Sequence, residues 1–395
     1  MDDVTAPDWL ARAAGNWPER TALRTATESW TFGDLDYAAT EIGGRVPGGA
    51  RVAFRAEMTA ASVAAIFGIP RGGGVAVPID PTLDTAQAAA LADSFGAVLG
   101  WPPLPSHEEA EPEPTPASPA VIVATSGSEG RPRGVVLTRG NIEAAAAASQ
   151  THLGTRDSDV WLLVTPLHHV SGLAILWRAA HDGSQVIIQD GFSVQAVDGA
   201  LKSAATWVSL VPTMLSRLLS GAEGPWPAVR GALIGGAHSS PELIAAANSA
   251  GLAALPTYGM TETTAQAATV RPGNAGAAAG TVGHPLPGVA VTTEGAPGEP
   301  ATILIDGPTV SPGYVDEAPR VGPLVTSDIG YCDPTGRLVV VGRGDDVVVT
   351  GGENVHPAQV EAALLSRPGV AGAAAVGLPD PDWGERLVAV VCGAG

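Results

Sequence analysis

Along the first hundred residues the apolar positions fall into two kinds of segment. Residues 7–14, 30–46 and 60–67 read as helices, the second beginning after Thr31, while 51–54 and 74–78 are short apolar runs that read as strands. This alternation argues an α/β fold. The pattern resumes further along, where 120–124, 160–164, 185–188, 207–210, 231–234 and 253–256 read as strands. Between them lie an alanine-rich helix at 141–150, a helix after Gly172, and helices at 213–219 and 241–250. The result is repeated strand–helix crossover. Beyond Gly280 the texture changes to Gly/Pro turns between short strands at 289–292, 302–305 and 338–341, which predicts an antiparallel, barrel-like or sheet region. No internal repeat of about 20–50 residues interrupts this order.

One stretch carries almost no apolar residue: residues 102–119 hold seven prolines and four glutamates and predict an exposed connection dividing the large domain. At 395 residues the chain exceeds one ordinary core, so two or three structural units are expected. Forty acidic against 21 basic residues leave a net charge of -19, which repels both a phosphate backbone and an anionic bilayer surface. Neither a nucleic-acid nor a membrane partner is expected. Two cysteines, Cys332 and Cys392, are too few for a disulfide framework and lie at no metal-ligand spacing, which points to a reducing compartment and the cytoplasm. The acidic start Met1-Asp2-Asp3 does not look like a basic leader. The uncharged stretch 160–177 contains Pro166, His168, His169, Ser171 and Gly172 and reads as a buried segment beside a site, not a membrane span. Lys202 is the single lysine among the basic residues.

Three constellations carry chemistry. The loop 125–134 offers the hydroxyls of Thr125, Ser126 and Ser128 and the unhindered backbone of Gly127 and Gly130, which suits a phosphate cradle. It lacks the lysine of a Walker loop, and taken alone it fits an ordinary βα turn of small residues equally well. Tyr258-Gly259-Met260-Thr261-Glu262-Thr263 follows directly on the strand at 253–256, at the strand end where open α/β sheets bind ligands. Glu262 there suits a cation, and the bland alternative is a helix start capped by Thr261. Thr326-Ser327-Asp328-Ile329-Gly330, Gly342-Arg343-Gly344-Asp345-Asp346, and Gly351-Gly352-Glu353-Asn354-Val355-His356-Pro357 with Glu361 form the third set and in isolation read as hairpin turns. No G-x-G-x-x-G follows a strand, which disfavours a dinucleotide oxidoreductase.

In this order and spacing the three sets resemble the adenylate-forming superfamily of acyl-CoA synthetases, luciferases and peptide-synthetase adenylation domains, over essentially the whole chain. The resemblance implies a large N-terminal domain at 1–344 and a small α+β domain at 345–395, joined at a hinge residue, Asp345. It implies ATP, Mg²⁺ and coenzyme A as partners of a small carboxylic acid, with a homodimer left open. By the same resemblance the phosphate loop is Thr125, Ser126, Gly127, Ser128, Gly130 and Arg133, and Gly235, Gly236, Tyr258, Gly259 and Met260 complete the nucleotide site. Thr261 contacts the AMP phosphate, Glu262 ligates Mg²⁺, Asp328 accepts from the ribose, Arg343 supports it, and Gly351 and Gly352 turn toward the site for thioester formation. His169 matches the histidine beside the carboxylate being activated.

Within the superfamily, His169-Val170-Ser171-Gly172, then Trp177-Arg178, then Ser209-Leu210-Val211-Pro212 resemble the o-succinylbenzoate-CoA ligases of menaquinone biosynthesis. That acid has two carboxylates, so Arg178 is the candidate reader of the second and Ser209 a further substrate contact. Another aryl or acyl acid, and a non-catalytic nucleotide- or acyl-binding protein, remain as alternatives. Arg133 stands where the family carries lysine and Glu129 where it carries a second threonine. The small domain is expected to be incomplete, ending after an apolar strand at 386–391, and the family's late catalytic lysine has no counterpart.

Overall fold

The computed structural model describes residues 8–100, 114–126, 132–277, 280–296, 298–344, 346–350, 353–365, 367, 369–380 and 383–393. Most of the connection expected at 102–119 therefore lies outside the described residues; Thr115, Pro116 and Ala117 are exposed and the next strand starts at Pro119.

Among the described residues the strands form four sheets. The first has nine strands in the spatial order His284–Pro285, Ala268–Thr269, Ala254–Tyr258, Gly231–Ile234, Trp207–Leu210, Val160–Leu163, Gln185–Ile188, Thr21–Arg24 and Ser29–Thr31. The six strands from Ala254–Tyr258 across to Thr21–Arg24 are parallel, with crossover helices of the kind that the alternation predicts. Every residue of Gly231–Ile234 is buried, as continuous apolar runs require when helices cover both faces. The second sheet runs Gly313–Tyr314, Pro132–Thr138, Pro119–Ser126, Val75–Ile79, Arg51–Arg55 and Val98–Leu99.

This second sheet corrects one expectation. The segment 125–134 is not loop throughout: the strand Pro119–Ser126 folds back as an antiparallel hairpin onto Pro132–Thr138, which sets Thr125 opposite Arg133. The helix Arg139–Leu153 starts only after that return strand, with Thr138 and Asn141 forming a reciprocal capping box. The second strand was missed because Pro132-Arg133-Gly134 reads locally as loop.

A single large core joins the first two sheets through their helices. At its centre lies Val170–Asp182, buried almost all round, with Gly183 at its left-handed C-terminal cap. The region beyond Gly280 forms an antiparallel sheet of Ala290–Thr293, Ala301–Asp306, Leu324–Cys332 and Leu338–Arg343. Asp328 thus sits within a strand, not in a hairpin turn. The fourth sheet, with the helix Pro357–Leu365 packed on it, holds Glu353–Val355, Val348–Thr350, Gly384–Gly393 and Val370–Asp380. It leaves Val376, Leu378, Val390 and Val391 exposed.

Candidate active site

The C-terminal ends of the inner parallel strands, the third sheet and the fourth sheet enclose one cleft of 1630 Å³. Thr125, Arg133, His169, Gly236, Tyr258, Gly259, Met260, Thr261, Glu262, Asp328 and Arg343 line it, so residues drawn from separate stretches of the chain meet at one place.

Tyr258 closes the strand Ala254–Tyr258, and is its last residue instead of following it. Its hydroxyl donates to Asp328 Oδ2 at 2.6 Å, and Asp328 is paired in register with Arg343 on the neighbouring strand. Burial, then the Asp328 charge, raise the phenol's pKa, so it stays a donor. Gly259 is obligatory here: a Cβ would stand 2.1 Å from the Ala265 carbonyl oxygen, which the chain brings back over it. That return is made by two left-handed non-glycine residues, Thr264 at φ 52 and Ala265 at φ 85, with the Thr264 hydroxyl bonded to Thr309 O at 2.7 Å.

Glu262 lies in the short 3-10 turn Thr261–Thr263. The cap is Met260, whose backbone N–H meets the Thr263 hydroxyl at 3.0 Å, so Thr261 is not a cap and faces the cleft. The Glu262 carbonyl accepts from Ser311 N at 2.8 Å, tying the turn to the loop that carries Tyr314. Tyr314 Oη donates to Glu262 Oε1 at 2.8 Å, and its pKa is pushed up to about 12, first by burial and then by that bond. The Arg133 guanidinium lies 3.3 Å from the centre of the Tyr314 ring and donates to both carboxylate oxygens of Glu317, at 2.8 and 3.1 Å.

On the opposite wall His169 is the N-cap of Val170–Asp182 and makes no side-chain cap bond, so the helix presents its N-terminal turn, with Val170 and Ser171, to the cleft. The His168 ring lies 4.3 Å from it, with Nε2 3.9 Å from Asp80 Oδ2. Burial lowers the pKa of both imidazoles, helped at His168 by the neighbouring His169. Gly236, at φ +80, makes the turn after Gly231–Ile234 that a side chain would strain.

Three predicted residues are not on the cleft wall. Gly235 packs against Thr257, where a Cβ would meet Thr257 Cγ2 at 2.7 Å. Ser209 lies within the strand Trp207–Leu210. Arg178, seven residues along the helix from Ser171, is only 5% exposed. Its Nη2 donates to Gln266 Oε1 at 2.7 Å, and the guanidinium lies 5.6 Å from the Trp161 ring centre. Gln266 in turn bonds Ser149, Thr257 and Thr269, and Thr257 lines the cleft. The side chain of Ser126, together with Gly127, Ser128, Gly130, Asp345, Gly351 and Gly352, lies outside the described residues, as does Glu129.

Residues 10–101 and 95–315 match the AMP-binding enzyme family, and residues 359–394 match the AMP-binding enzyme C-terminal domain. The chain belongs to the AMP-binding enzymes. A 2-succinylbenzoate–CoA ligase of Bacillus cereus is 33% identical over 99% of this chain and 89% of its own length. Two solved structures of o-succinylbenzoate coenzyme A synthetase from Bacillus subtilis are similar. One is in complex with the acyl-adenylate intermediate (TM-score 0.89, 30% identity, 98% of this chain and 88% of that one). The other is in complex with ATP and magnesium ion (TM-score 0.88, 30% identity, 98% and 90%). ATP-bound MatB from Rhodopseudomonas palustris is similar at TM-score 0.86 and 25% identity, over 99% and 89%.

Sequence reasoning passed over some cleft residues of this AMP-binding enzyme, His238 and Tyr314 among them, while His356 and Glu361 of the third motif set do line it. Tyr314 reaches it through a two-residue strand paired with Val135 and Val136, a contact no local pattern announces. Scarcity was an available signal: the sequence has four tyrosines, and Tyr258, Tyr314 and Tyr331 all line the cleft.

Proposed function

We propose that this AMP-binding enzyme activates a carboxylic acid with ATP and passes the acyl group to coenzyme A, and that the acid is o-succinylbenzoate. The observation that carries the reading is the convergence on one cleft of Glu262, the Asp328–Arg343 pair and His169 at an open helix N-terminus. The similarity to the 2-succinylbenzoate–CoA ligase supports the choice of acid.

The acid's carboxylate lies at the first turn of Val170–Asp182, beside His169, where backbone N–H groups favour an anion. Its oxygen attacks the α-phosphorus; the new P–O bond gives the acyl-adenylate while the bond to the β-phosphate oxygen breaks and pyrophosphate leaves. Asp328 accepts from the ribose hydroxyls, Arg343 supports that sugar, and Thr261 and Gly236 approach the α-phosphate. The donor chemistry suits magnesium: Glu262 Oε1 is held by Tyr314, Oε2 accepts no hydrogen bond among the described residues, and Mg²⁺ commonly takes one or two carboxylates plus phosphates. Bound there, magnesium neutralises phosphate charge. Coenzyme A thiolate then attacks the acyl carbon and AMP departs. Gly351 and Gly352, swung about Asp345, are the proposed partners of this second step. Arg178 reads the second carboxylate, with Gln266 holding the guanidinium until the acid arrives, and Ser209 remains a proposed contact on that side. Among the described residues no helix is long and apolar enough to cross a membrane, and both cysteines are free, which agrees with the cytoplasmic, reducing setting in this reading.

Calorimetric titration of the chain with an o-succinylbenzoyl-adenylate analogue and a benzoyl counterpart tests the acid. Preference for the first that disappears in Arg178→Ala is expected; equal binding of both analogues to the unsubstituted chain refutes the dicarboxylate assignment. A second reading, a binder without turnover, draws on Lys202 lying away from the cleft, salt-bridged to Asp198 at 2.9 Å. Analogue binding without pyrophosphate release from ATP and acid decides for it.

A further inference from the structure

The cluster of Arg133, Tyr314, Glu262 and Glu317 does more than line the cleft. A glutamate on a three-residue turn has free side-chain torsions, and a metal ligand must hold one of them. Tyr314 supplies the constraint: its hydroxyl fixes Oε1 at 2.8 Å, which leaves the other oxygen for a ligand. Among the described residues no group of three His, Cys, Asp or Glu assembles a protein cage for a metal, so the orientation of this one carboxylate carries unusual weight.

The tyrosine ring is itself held. Tyr314 pairs with Val135 across antiparallel strands, which makes Arg133 its diagonal neighbour on the same face. The planar guanidinium lies flat enough over the ring to stand 3.3 Å from its centre, and Glu317, three residues beyond Tyr314, takes both carboxylate contacts from Arg133 Nη2. An ammonium has no plane to stack, so an arginine at this position has a specific use that a lysine lacks.

We infer that Tyr314 is a positioning residue that orients Glu262 for nucleotide-bound magnesium, with Arg133 and Glu317 holding the ring that carries the donor. The inference rests on Glu262 being the magnesium ligand. Its readout is the gain in ATP affinity that magnesium produces, measured by calorimetry on the full chain with Mg²⁺ and with EDTA. Tyr314→Phe keeps the ring and removes one oxygen; it is expected to lower that gain about tenfold, the scale of a hydrogen bond to a charged group, while affinity in EDTA stays unchanged. Glu317→Gln leaves the Tyr314–Glu262 bond in place and is expected to retain most of the gain. On a Glu262→Gln background Tyr314→Phe is expected to add nothing.

An undiminished gain in Tyr314→Phe, alongside a lost gain in Glu262→Gln, overturns this inference and leaves the role of Glu262 standing. An undiminished gain in Glu262→Gln overturns both. If Tyr314→Phe does not fold, Glu262→Asp replaces it: the carboxylate is withdrawn from the hydroxyl by one methylene, and an undiminished gain there again overturns the inference.

Discussion

Arg133, which lines the cleft, and Arg178, which does not, sit in opposite surroundings. Arg133 keeps 45% of its side chain exposed, is ion-paired to Glu317 and stacks on Tyr314, and the Glu317 bond holds its pKa up. Arg178 is 5% exposed, has a neutral amide oxygen as its hydrogen-bond partner, and burial lowers its pKa to about 10. An exposed pair contributes about 0–1 kcal/mol, because water replaces either partner readily. A guanidinium in the interior is held at a cost, offset here only in part by the charge of Asp182 one turn along the helix, and an anion that reaches it is attracted with little screening. The contrast teaches where each belongs in the proposed reaction: Arg133, in exposed contact with Tyr314 and Glu317, serves the nucleotide end through those partners, whereas Arg178 is the proposed fixed reader whose buried charge becomes selectivity.

The largest expected effect follows from breaking the buried side of this contrast. Removing one partner of a buried pair commonly costs about 3–5 kcal/mol, so Arg178→Ala should lower kcat/KM for the dicarboxylic acid at least about a hundredfold and much less for benzoate. A different substitution should help the ligand-free protein. Arg178→Met removes a buried charge that Asp182 offsets only in part and keeps the volume, and its melting temperature is expected to exceed that of the unsubstituted chain. A lower melting temperature would show instead that the Ser149–Gln266–Arg178 network is a structural fixture, and the reader role would lose its energetic basis.

Arg178 also marks where sequence reading stops. The strands at 185–188, 207–210 and 231–234 have the bounds expected from their apolar runs: Gly231–Ile234 is buried throughout, and a single polar residue in each of the others, Gln185 and Ser209, does not break the run. The return strand Pro132–Thr138 was not legible, since its first residues are proline, arginine and glycine and its pairing is set by the neighbouring strand. In the cleft, the motif residues Tyr258, Glu262 and Asp328 were legible as candidates, but their mutual geometry was not. The Tyr258–Asp328 bond spans 70 residues and the Tyr314–Glu262 bond 52, distances that periodicity does not encode. Arg178 was legible as a candidate reader of an anion, but its partner Gln266 had no signal, being placed by the left-handed turn at Thr264 and Ala265.

A smaller effect, on the whole fold, sharpens the point about buried cations by using groups that can shed their charge. Burial lowers the pKa of His152, which is 4% exposed, and of the half-buried His168 below the ordinary 6.5. The unfolded chain then binds protons near pH 6.5 that the folded chain refuses, so stability present above that pH is lost as pH falls through the window toward the folded values. Arg178 follows the same sign higher up, its pKa lowered from the ordinary arginine value to about 10 in the fold, and so carries its cost at every lower pH. The melting temperature should fall between neutral pH and about pH 5, with net proton uptake on unfolding. A constant melting temperature with no proton uptake across that range would contradict the burial of these imidazoles.

The smallest expected effect comes from a third cation, the sequence's single lysine. Lys202 lies in the helix Val194–Ser203 with 43% of its side chain exposed, and it pairs with Asp198 one turn earlier at 2.9 Å. Such an i,i+4 pair contributes about 0.3–0.5 kcal/mol. Asp198 keeps a second partner, since its other oxygen accepts from Trp226 Nε1 at 2.8 Å. Lys202→Ala should therefore leave adenylation, read as pyrophosphate release, unchanged and shift stability by no more than about 0.5 kcal/mol. Loss of pyrophosphate release would mean that adenylation draws on an ammonium after all. The contrast between Arg133 and Arg178 would then describe only part of the positive charge the reaction uses.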